Sequence, residues 1–159
     1  MNSNVKYVKL SWQHITNHCK LIVEKMKDFK PDVLISLGRG GMIPTRILSD
    51  MINVKTVHLL NIKLYKGVNI RDSKPTVENF NVIIEKKNVL LIDDIVDTGL
   101  TIDAAISKIY ECRPSIIKTA TLLCKKQVKR RPTYIGTECE DNEWIIFPWE
   151  KEEFKKESI

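Results

Sequence analysis

The sequence lacks long apolar runs, paired cysteine motifs and a complete set of zinc ligands. Its apolar runs are far shorter than the roughly 20 residues that a membrane-spanning helix needs, and the opening segment, MNSNVKYVKLSW, has no signal-peptide core. The four cysteines include no CxxC pair, and the three histidines complete no zinc pattern. We therefore expect a cytoplasmic protein with reduced thiols and without a zinc site.

Size and charge restrict the class of protein further. The chain has 159 residues, of which 43% are hydrophobic and 29% charged, and this is enough for one globular domain with a real core. We expect that single domain to include residues 1–159. The formal net charge of +6 suits a protein that binds nucleic acid, and it equally suits one that binds small anions such as phosphates.

Strand-like and helix-like segments alternate along the chain. After Ser11, a candidate N-cap, apolar residues recur every three or four positions and predict a helix that ends near Lys30 and Pro31. Further helices are predicted over Ile43–Ile52 and Thr101–Cys112. Short apolar runs predict the strands DVLISL, KTVHLLNI, NVIIE, NVLLID, SIIKTATLLC, TYIGT and EWIIFPW. This alternation is typical of an α/β protein with a mostly parallel sheet flanked by helices on both faces.

Two unusual loops follow strands of this predicted sheet, at the edge where open parallel sheets bind ligands. The first is Gly38-Arg39-Gly40-Gly41, whose glycines allow a close backbone approach and whose arginine suits phosphate oxygens. A plain tight turn before a helix explains this loop about equally well. The loop matches neither the dinucleotide fingerprint nor the P-loop, because the third glycine of the one and the Gly-Lys-Ser/Thr ending of the other are missing.

The second loop follows the strand NVLLID and begins with two neighbouring acids, Asp93 and Asp94. Buried charge is costly unless something compensates it. The segment Asp97–Thr101 then leads into a helix, whose N-terminus binds anions through its free N–H groups and its dipole. Helix capping would explain Asp97 or Thr98, but it leaves the acid pair unexplained. Sugar hydroxyls, or Mg²⁺ held by carboxylates and substrate phosphates, would compensate the acids, so the spacing suits a ribose 5-phosphate.

These segments resemble those of a known family. The run VLLIDDIVDTGLT is similar to the motif with which type I phosphoribosyltransferases bind phosphoribosyl pyrophosphate (PRPP), and LISLGRGGMIP resembles their pyrophosphate loop. The late segment NEWIIFPWE is similar to the purine-contacting segment of the xanthine–guanine members. The resemblance spans roughly residues 32–150 and is strongest to the small 6-oxopurine (xanthine–guanine and hypoxanthine–guanine) enzymes. It implies a Rossmann-like core with a small hood, which the N-terminal segment and residues of about 125–149 would contribute.

The resemblance also implies an activity and the residues that hold its sugar substrate. The family transfers the phosphoribosyl group of PRPP to a purine with Mg²⁺ as cofactor, so we expect purine salvage with guanine, hypoxanthine or xanthine as the base. The acids Asp93 and Asp94 would bind the ribose hydroxyls and Mg²⁺, and Asp97 would be the general base or acid. The 5-phosphate would lie on Thr98, Gly99, Leu100 and Thr101, and pyrophosphate on Gly38, Arg39 and Gly40. A strained cis peptide is common in that loop of the family, so the Gly38–Arg39 bond is a candidate for one.

At the base end, the resemblance implies that Lys125 donates a hydrogen bond to the 6-oxo group, with Lys126 as a rival one residue away. Trp144 would stack on the base, and the backbone carbonyl of Ile145 would receive the guanine amino group. From the residues alone, a core aromatic is the better interpretation of Trp144. The segment 63–79 matches the family's mobile lid in position, with Tyr65 where a lid tyrosine is common. Because the family generally forms dimers or tetramers, we expect a homodimer or homotetramer.

Two other functions fit parts of the sequence. Some PRPP-binding folds are regulators that bind nucleic acid, and the basic cluster KKQVKRR would suit one, yet 159 residues leave little room for an added nucleic-acid-binding element. A phosphoribosyltransferase for adenine, orotate or uracil is the second alternative, against which Lys125 and Trp144 argue. An adenine amino group cannot accept the hydrogen bond that a lysine donates. We therefore expect PRPP, a purine base, a nucleoside monophosphate and pyrophosphate as partners, and neither nucleic acid nor a membrane.

Overall fold

A parallel sheet organises the chain. The computed structural model describes residues 5–64, 75–150 and 152. Its elements are, in chain order, β1 (Lys6–Lys9), α1 (Trp12–Lys25), β2 (Val33–Leu37), α2 (Met42–Met51), β3 (Val57–Leu60), β4 (Ile62–Leu64), β5 (Pro75–Val77), β6 (Asn88–Val96), α3 (Leu100–Tyr110), β7 (Ile116–Lys125), β8 (Tyr134–Cys139) and β9 (Glu143–Ile146). Five strands form one sheet in the order β3-β2-β6-β7-β8, and all neighbours in it run parallel. This confirms the predicted α/β architecture.

Helices cover both faces of this sheet, and that explains its continuous apolar strands. Ile22 of α1 and Leu48 of α2 belong to one core cluster, together with Leu90 of β6. Ile102 of α3 belongs to the other cluster, together with Leu91 of β6. Neighbouring residues of a strand point to opposite faces, so β6 needs apolar side chains at consecutive positions.

Helix α1 begins as predicted and ends earlier. Ser11 is its N-cap: the Ser11 hydroxyl accepts the N–H of His14 at 3.3 Å, and His14 Nδ1 accepts the N–H of Ser11 at 3.1 Å. The prediction of an end near Lys30 is wrong, because the helix stops at Lys25. Phe29 is nonetheless buried in the core on the α1 face of the sheet. The apolar spacing therefore marks burial, which continues into the turn after the last helical residue.

The predicted strand NVIIE is also wrong, since residues 81–84 are irregular and residue 85 begins a turn. Ile84 is fully buried in the α3 core while Ile83 is 96% exposed. An extended connection that packs only one side of itself gives the same alternation as a strand. The short strand β5 was not predicted, and it pairs antiparallel with β4, Val77 lying opposite Ile62.

A second small sheet brings the beginning and the end of the chain together. β1 and β9 pair in parallel, with Lys6 opposite Glu143 and Tyr7 opposite Trp144. The Lys6 ammonium lies 2.7 Å from the Glu143 carboxylate, a contact between residues 137 positions apart. Of the two late strands that the sequence predicts, β8 joins the main sheet and β9 joins this small one.

Two further properties bear on the expected class of protein. In the described ranges, no helix combines the length and the apolar character that crossing a membrane requires. The four cysteines are free thiols, and burial raises the pKa of the Cys19 thiol to about 12. A thiol with so high a pKa stays protonated and unreactive at neutral pH.

Candidate active site

The predicted site residues lie at the carboxyl edge of three adjacent strands. The turn that contains Gly38, Arg39 and Gly40 follows β2, the turn of Asp97 and Thr98 follows β6, and Lys125 ends β7. The order β2-β6-β7 makes these strand ends neighbours. Their position agrees with the rule that open parallel sheets bind ligands beyond the carboxyl ends of their strands.

The acid pair lies inside β6 rather than after it, because the strand continues to Val96. Asp94 is 9% exposed and Asp93 is partly buried. Asp93 Oδ1 accepts the N–H of Asp94 at 2.9 Å, and Asp94 Oδ1 accepts the N–H of Ile95 at 2.7 Å. Burial raises the pKa of both carboxyls, that of Asp93 well above the usual range, and the Asp94 carboxylate raises the pKa of Asp93 further.

The Gly/Arg loop touches the acid pair directly. A Cβ atom at Gly40 would lie 2.6 Å from Asp94 Cγ, closer than real Cβ atoms approach other atoms. Only a glycine therefore lets this loop lie against the carboxylate. The proposed cis peptide at Gly38–Arg39 is wrong, since that bond is trans. The exposed Arg39 side chain extends from the same turn.

The loop after β6 leaves the N-terminus of α3 open to an anion. Gly99 is the N-cap residue, in a left-handed conformation with φ of 86°, and no side chain forms a cap hydrogen bond there. The Thr98 hydroxyl lies 3.4 Å from the N–H of Leu100, at the long limit of a hydrogen bond. Asp97 is exposed and does not cap the helix, so capping does not explain its presence.

A cleft of about 670 Å³ unites the acids with the predicted base-binding residues. Its lining includes Asp94, Asp97, Lys125, Trp144 and Ile145. Trp144 is 57% exposed, which excludes the interpretation of this residue as a core aromatic. Arg39 and the Thr98–Thr101 turn are not among the lining residues, although Gly40 lies against Asp94 at the cleft wall. Tyr65 falls outside the described residues.

The structure separates the two candidate lysines. Lys125 is 6% exposed and lines the cleft, where its ammonium donates to the backbone carbonyls of Glu140 at 2.9 Å, Asp141 at 3.4 Å and Glu143. Lys126 is exposed, does not line the cleft and forms an ion pair with the Glu140 carboxylate. The position of Lys125 therefore favours it over Lys126 as the group that meets a base.

Sequence reasoning gave no individual role to several residues that line the cleft, namely Val5 and, within the segment NEWIIFPWE, Asn142, Glu143, Phe147 and Glu150. They reach it through the pairing of β1 with β9 and through the turn that the Lys125 ammonium holds. The resemblance of NEWIIFPWE marks that segment as a whole without showing which of its side chains face the cleft, and neither a motif nor a periodic pattern marks Val5, whose position depends on contacts between distant segments.

The acids suit Mg²⁺ only together with a substrate. Within the ranges that the structure describes, no group of three or more His, Cys, Asp or Glu side chains is placed to hold a metal ion. The candidate ligands are the adjacent carboxylates of Asp93 and Asp94, whose pKa values are raised. In proteins, Mg²⁺ is commonly bound by one or two carboxylates plus substrate phosphates. The donor set thus fits a magnesium ion that a phosphorylated ligand brings with it.

Similar proteins share one class of activity in their names. Hypoxanthine-guanine phosphoribosyltransferase of Saccharomyces cerevisiae is 31% identical over 129 residues, which cover 69% of this chain and 57% of that protein. The chain thus spans little more than half of the yeast protein's length. Xanthine-guanine phosphoribosyltransferase of Desulfotalea psychrophila is 26% identical over 145 residues, which cover 90% of this chain and 86% of that protein.

A solved structure and a family model extend the similarity to the whole fold. The purine phosphoribosyltransferase from Pyrococcus horikoshii Ot3 superposes with a TM-score of 0.80 at 30% identity, covering 91% of this chain and 93% of that one. A model of the phosphoribosyl transferase domain matches residues 2–153. The chain therefore belongs to the phosphoribosyl transferase domain family.

Proposed function

We propose that the chain catalyses purine salvage, transferring the 5-phosphoribosyl group of PRPP to guanine, hypoxanthine or xanthine. The products are a nucleoside 5′-monophosphate and pyrophosphate. The observation that carries the proposal is the single cleft that Asp94, Asp97, Lys125 and Trp144 line together. The names of the similar yeast and bacterial proteins support the same class of bases.

The sugar end of PRPP occupies the strand ends. Asp93 and Asp94 bind the ribose hydroxyls, and the same carboxylates would hold Mg²⁺ in the presence of the phosphorylated substrate. When bound, the ion supplies positive charge that stabilises the departing pyrophosphate. The open N-terminus of α3, with Thr98, Gly99, Leu100 and Thr101, receives the 5-phosphate through N–H groups and hydroxyls.

The pyrophosphate end lies on the Gly/Arg loop. Gly38 leaves the backbone of this turn open, since nothing lies within 4 Å of the position that a Cβ atom would take there, and Arg39 adds a positive charge for phosphate oxygens. The contact of Gly40 with Asp94 keeps this loop next to the acid pair. Pyrophosphate and ribose therefore bind to adjoining parts of one site.

The base end is built by side chains around the cleft. Trp144 offers an exposed ring on which a purine stacks, and the backbone carbonyl of Ile145 accepts the amino group of guanine. Lys125 donates a hydrogen bond to the 6-oxo group. Asp97 takes or gives the proton of the purine nitrogen as the bond to the sugar forms, and the transition state is oxocarbenium-like.

A lid, an oligomeric assembly and a partly neutralised basic cluster complete the proposed enzyme. Residues 63–79, of which 65–74 with Tyr65 lie outside the described residues, would act as the lid that excludes water while PRPP is activated, since hydrolysis is the competing reaction. The protein acts in the cytoplasm as a homodimer or homotetramer. Ion pairs of Lys126 with Glu140 and of Arg131 with Glu138 neutralise part of the basic cluster, which weakens the case for nucleic acid.

We expect a panel assay to give nucleotide with 6-oxopurines only. Purified protein is incubated with PRPP, Mg²⁺ and each of guanine, hypoxanthine, xanthine, adenine, orotate and uracil, and nucleotide and pyrophosphate are measured by chromatography. Omission of Mg²⁺ is the control. Nucleotide formed only from adenine, orotate or uracil, or no turnover together with tight, salt-sensitive RNA binding, would replace the proposal.

The second prediction concerns Asp97. The substitution Asp97→Asn removes the proton acceptor while keeping the size of the side chain, so turnover should fall by about 10²–10⁴-fold. Binding of PRPP, measured separately by calorimetry, should remain within about threefold of the wild-type value, because Asp97 does not hold the sugar phosphate. Parallel losses of binding and turnover would instead assign Asp97 to the structure of the turn.

The third prediction separates the two lysines. A hydrogen bond from a charged donor contributes roughly 1.5–3 kcal/mol, so Lys125→Met should raise the KM of the purine by about 10–100-fold and leave that of PRPP within threefold. Lys126→Met, the matched control, should behave as the wild type in steady-state kinetics. The assignment of Lys125 fails if its variant keeps normal purine kinetics.

The fourth prediction follows from the raised pKa values of the acid pair. Folding raises the pKa of the Asp94 carboxyl above its value in the unfolded chain, about 3.9 for Asp. The folded protein therefore loses stability as the pH rises from the unfolded pKa through the folded pKa. Without ligand at pH 7, Asp94→Asn should therefore raise the Tm, and in a domain of this size a gain of about 2–4 °C would correspond to about 1 kcal/mol.

The advantage of the variant should shrink as the pH falls from 7 towards 4, because protonation then removes the charge of the wild-type carboxyl. Differential scanning fluorimetry over this pH range measures both effects, and Asp50→Asn on the exposed surface of α2 is the control. In the same assay, PRPP with Mg²⁺ should stabilise the wild type and not the variant. A lower Tm of Asp94→Asn at pH 7 would show that the charge is compensated within the protein.

A further inference from the structure

An acidic side chain lies in the first turn of the helix that receives the 5-phosphate, and it has a cationic partner from another segment. Asp103 belongs to the first turn of α3, where its N–H donates to the carbonyl of Gly99 at 3.0 Å. Its Oδ1 lies 2.8 Å from Nε of Arg130, which comes from the loop between β7 and β8. We infer that Arg130 is a positioning residue for phosphate: by neutralising Asp103, it keeps the N-terminus of α3 attractive to a dianion.

The loop of Arg130 packs directly on the turn that precedes α3. A Cβ atom at Gly99 would lie 3.4 Å from the Arg130 carbonyl oxygen and 3.7 Å from both Arg130 Cβ and Val128 Cγ1. Val128 is buried in the same core cluster as Ile102, and this anchors the loop on α3. The Asp103–Arg130 pair therefore adjoins the N–H groups that hold the phosphate.

Asp103 alone would oppose the binding of phosphate. A carboxylate near a helix N-terminus interacts favourably with the helix dipole, as the incoming phosphate does, and the two anions repel each other. Arg130 cancels this repulsion without any contact with the ligand. Its neighbours in the basic cluster are directed elsewhere, Lys126 to Glu140 and Arg131 to Glu138.

The pair contributes little to folding. The side chain of Arg130 is 58% exposed and that of Asp103 is 41% exposed. Ion pairs of such exposure stabilise proteins weakly. Substitutions at these positions should therefore change anion binding far more than they change stability. This property separates the electrostatic role from a structural one.

The test measures the binding of ribose 5-phosphate by calorimetry to the wild type and to a double-mutant cycle. Because the inference rests on the proposed function, the wild type is measured first. We expect Arg130→Ala to weaken binding by about tenfold, as repulsion of an unscreened carboxylate near the site requires. Asp103→Asn should bind as the wild type or up to about threefold more tightly, and the double variant should recover to within about threefold of the wild type.

Two controls accompany the cycle. Arg130→Lys keeps the charge and should bind nearly as the wild type, whereas Lys129→Ala removes one positive charge from the adjacent position and should weaken binding less than twofold. The loss in Arg130→Ala should shrink at 0.5 M salt, because salt screens exposed charges (the Debye length is already only about 8 Å at 0.15 M). The Tm of each variant should stay within about 2 °C of the wild type.

The possible failures are distinct. A wild type that does not bind ribose 5-phosphate overturns the proposed function, and with it this inference. If the wild type binds and the double variant remains as weak as Arg130→Ala, Arg130 contacts the phosphate itself and the positioning role is wrong. An equal loss in Asp103→Asn and Arg130→Ala would assign the pair to bracing of the loop, and an equal loss in Lys129→Ala would reduce the effect to net charge.

Discussion

The site depends on holding two neighbouring carboxylates inside the middle strand of a sheet that helices cover on both faces. Burial raises the pKa of each group, and their mutual repulsion raises that of Asp93 further. Backbone N–H groups of Asp94 and Ile95 compensate the acids only in part. The folded protein therefore keeps these charges at a cost in stability, as is common where a site must bind cations or hydroxyl groups.

That constraint determines the structure around the acids. Gly40 must lack a side chain because Asp94 occupies the space that a Cβ would need. The strand order brings the Gly/Arg loop, the acid pair and the Asp97–Thr101 turn side by side, as the proposed binding of one phosphorylated ligand requires. The residues proposed to hold the base belong mainly to a different unit, the small β1–β9 sheet, which the hydrogen bonds of Lys125 connect to the end of β7.

Much of this arrangement could be predicted from the sequence, because it depends on local patterns. The acids, the glycines and the Asp97–Thr101 turn occur in short continuous motifs, and β6 owes its apolar run to cover on both faces. The sequence placed the end of α1 too late and predicted a strand at NVIIE that does not form. In both cases a buried side chain, Phe29 or Ile84, lies outside regular secondary structure, and the apolar pattern cannot distinguish the two situations. The pairing of β1 with β9 has no local signal in the sequence, because it joins segments 137 residues apart, and only the family resemblance assigned both segments to one hood. The Arg130–Asp103 pair also joins two separate segments of the chain, and no local pattern predicts it.

The backbone carbonyls around Lys125 have a consequence for any ligand that enters the cleft. An ammonium group has three donors, and those of Lys125, a residue that is 6% exposed, are directed to three carbonyl oxygens. The group therefore exchanged much of its hydration for protein acceptors when the chain folded. A ligand oxygen that replaces one of these carbonyls exchanges one acceptor for another. The free-energy cost of desolvating the Lys125 ammonium therefore arises when the protein folds. It lowers the stability of the ligand-free protein and does not weaken the binding of the ligand.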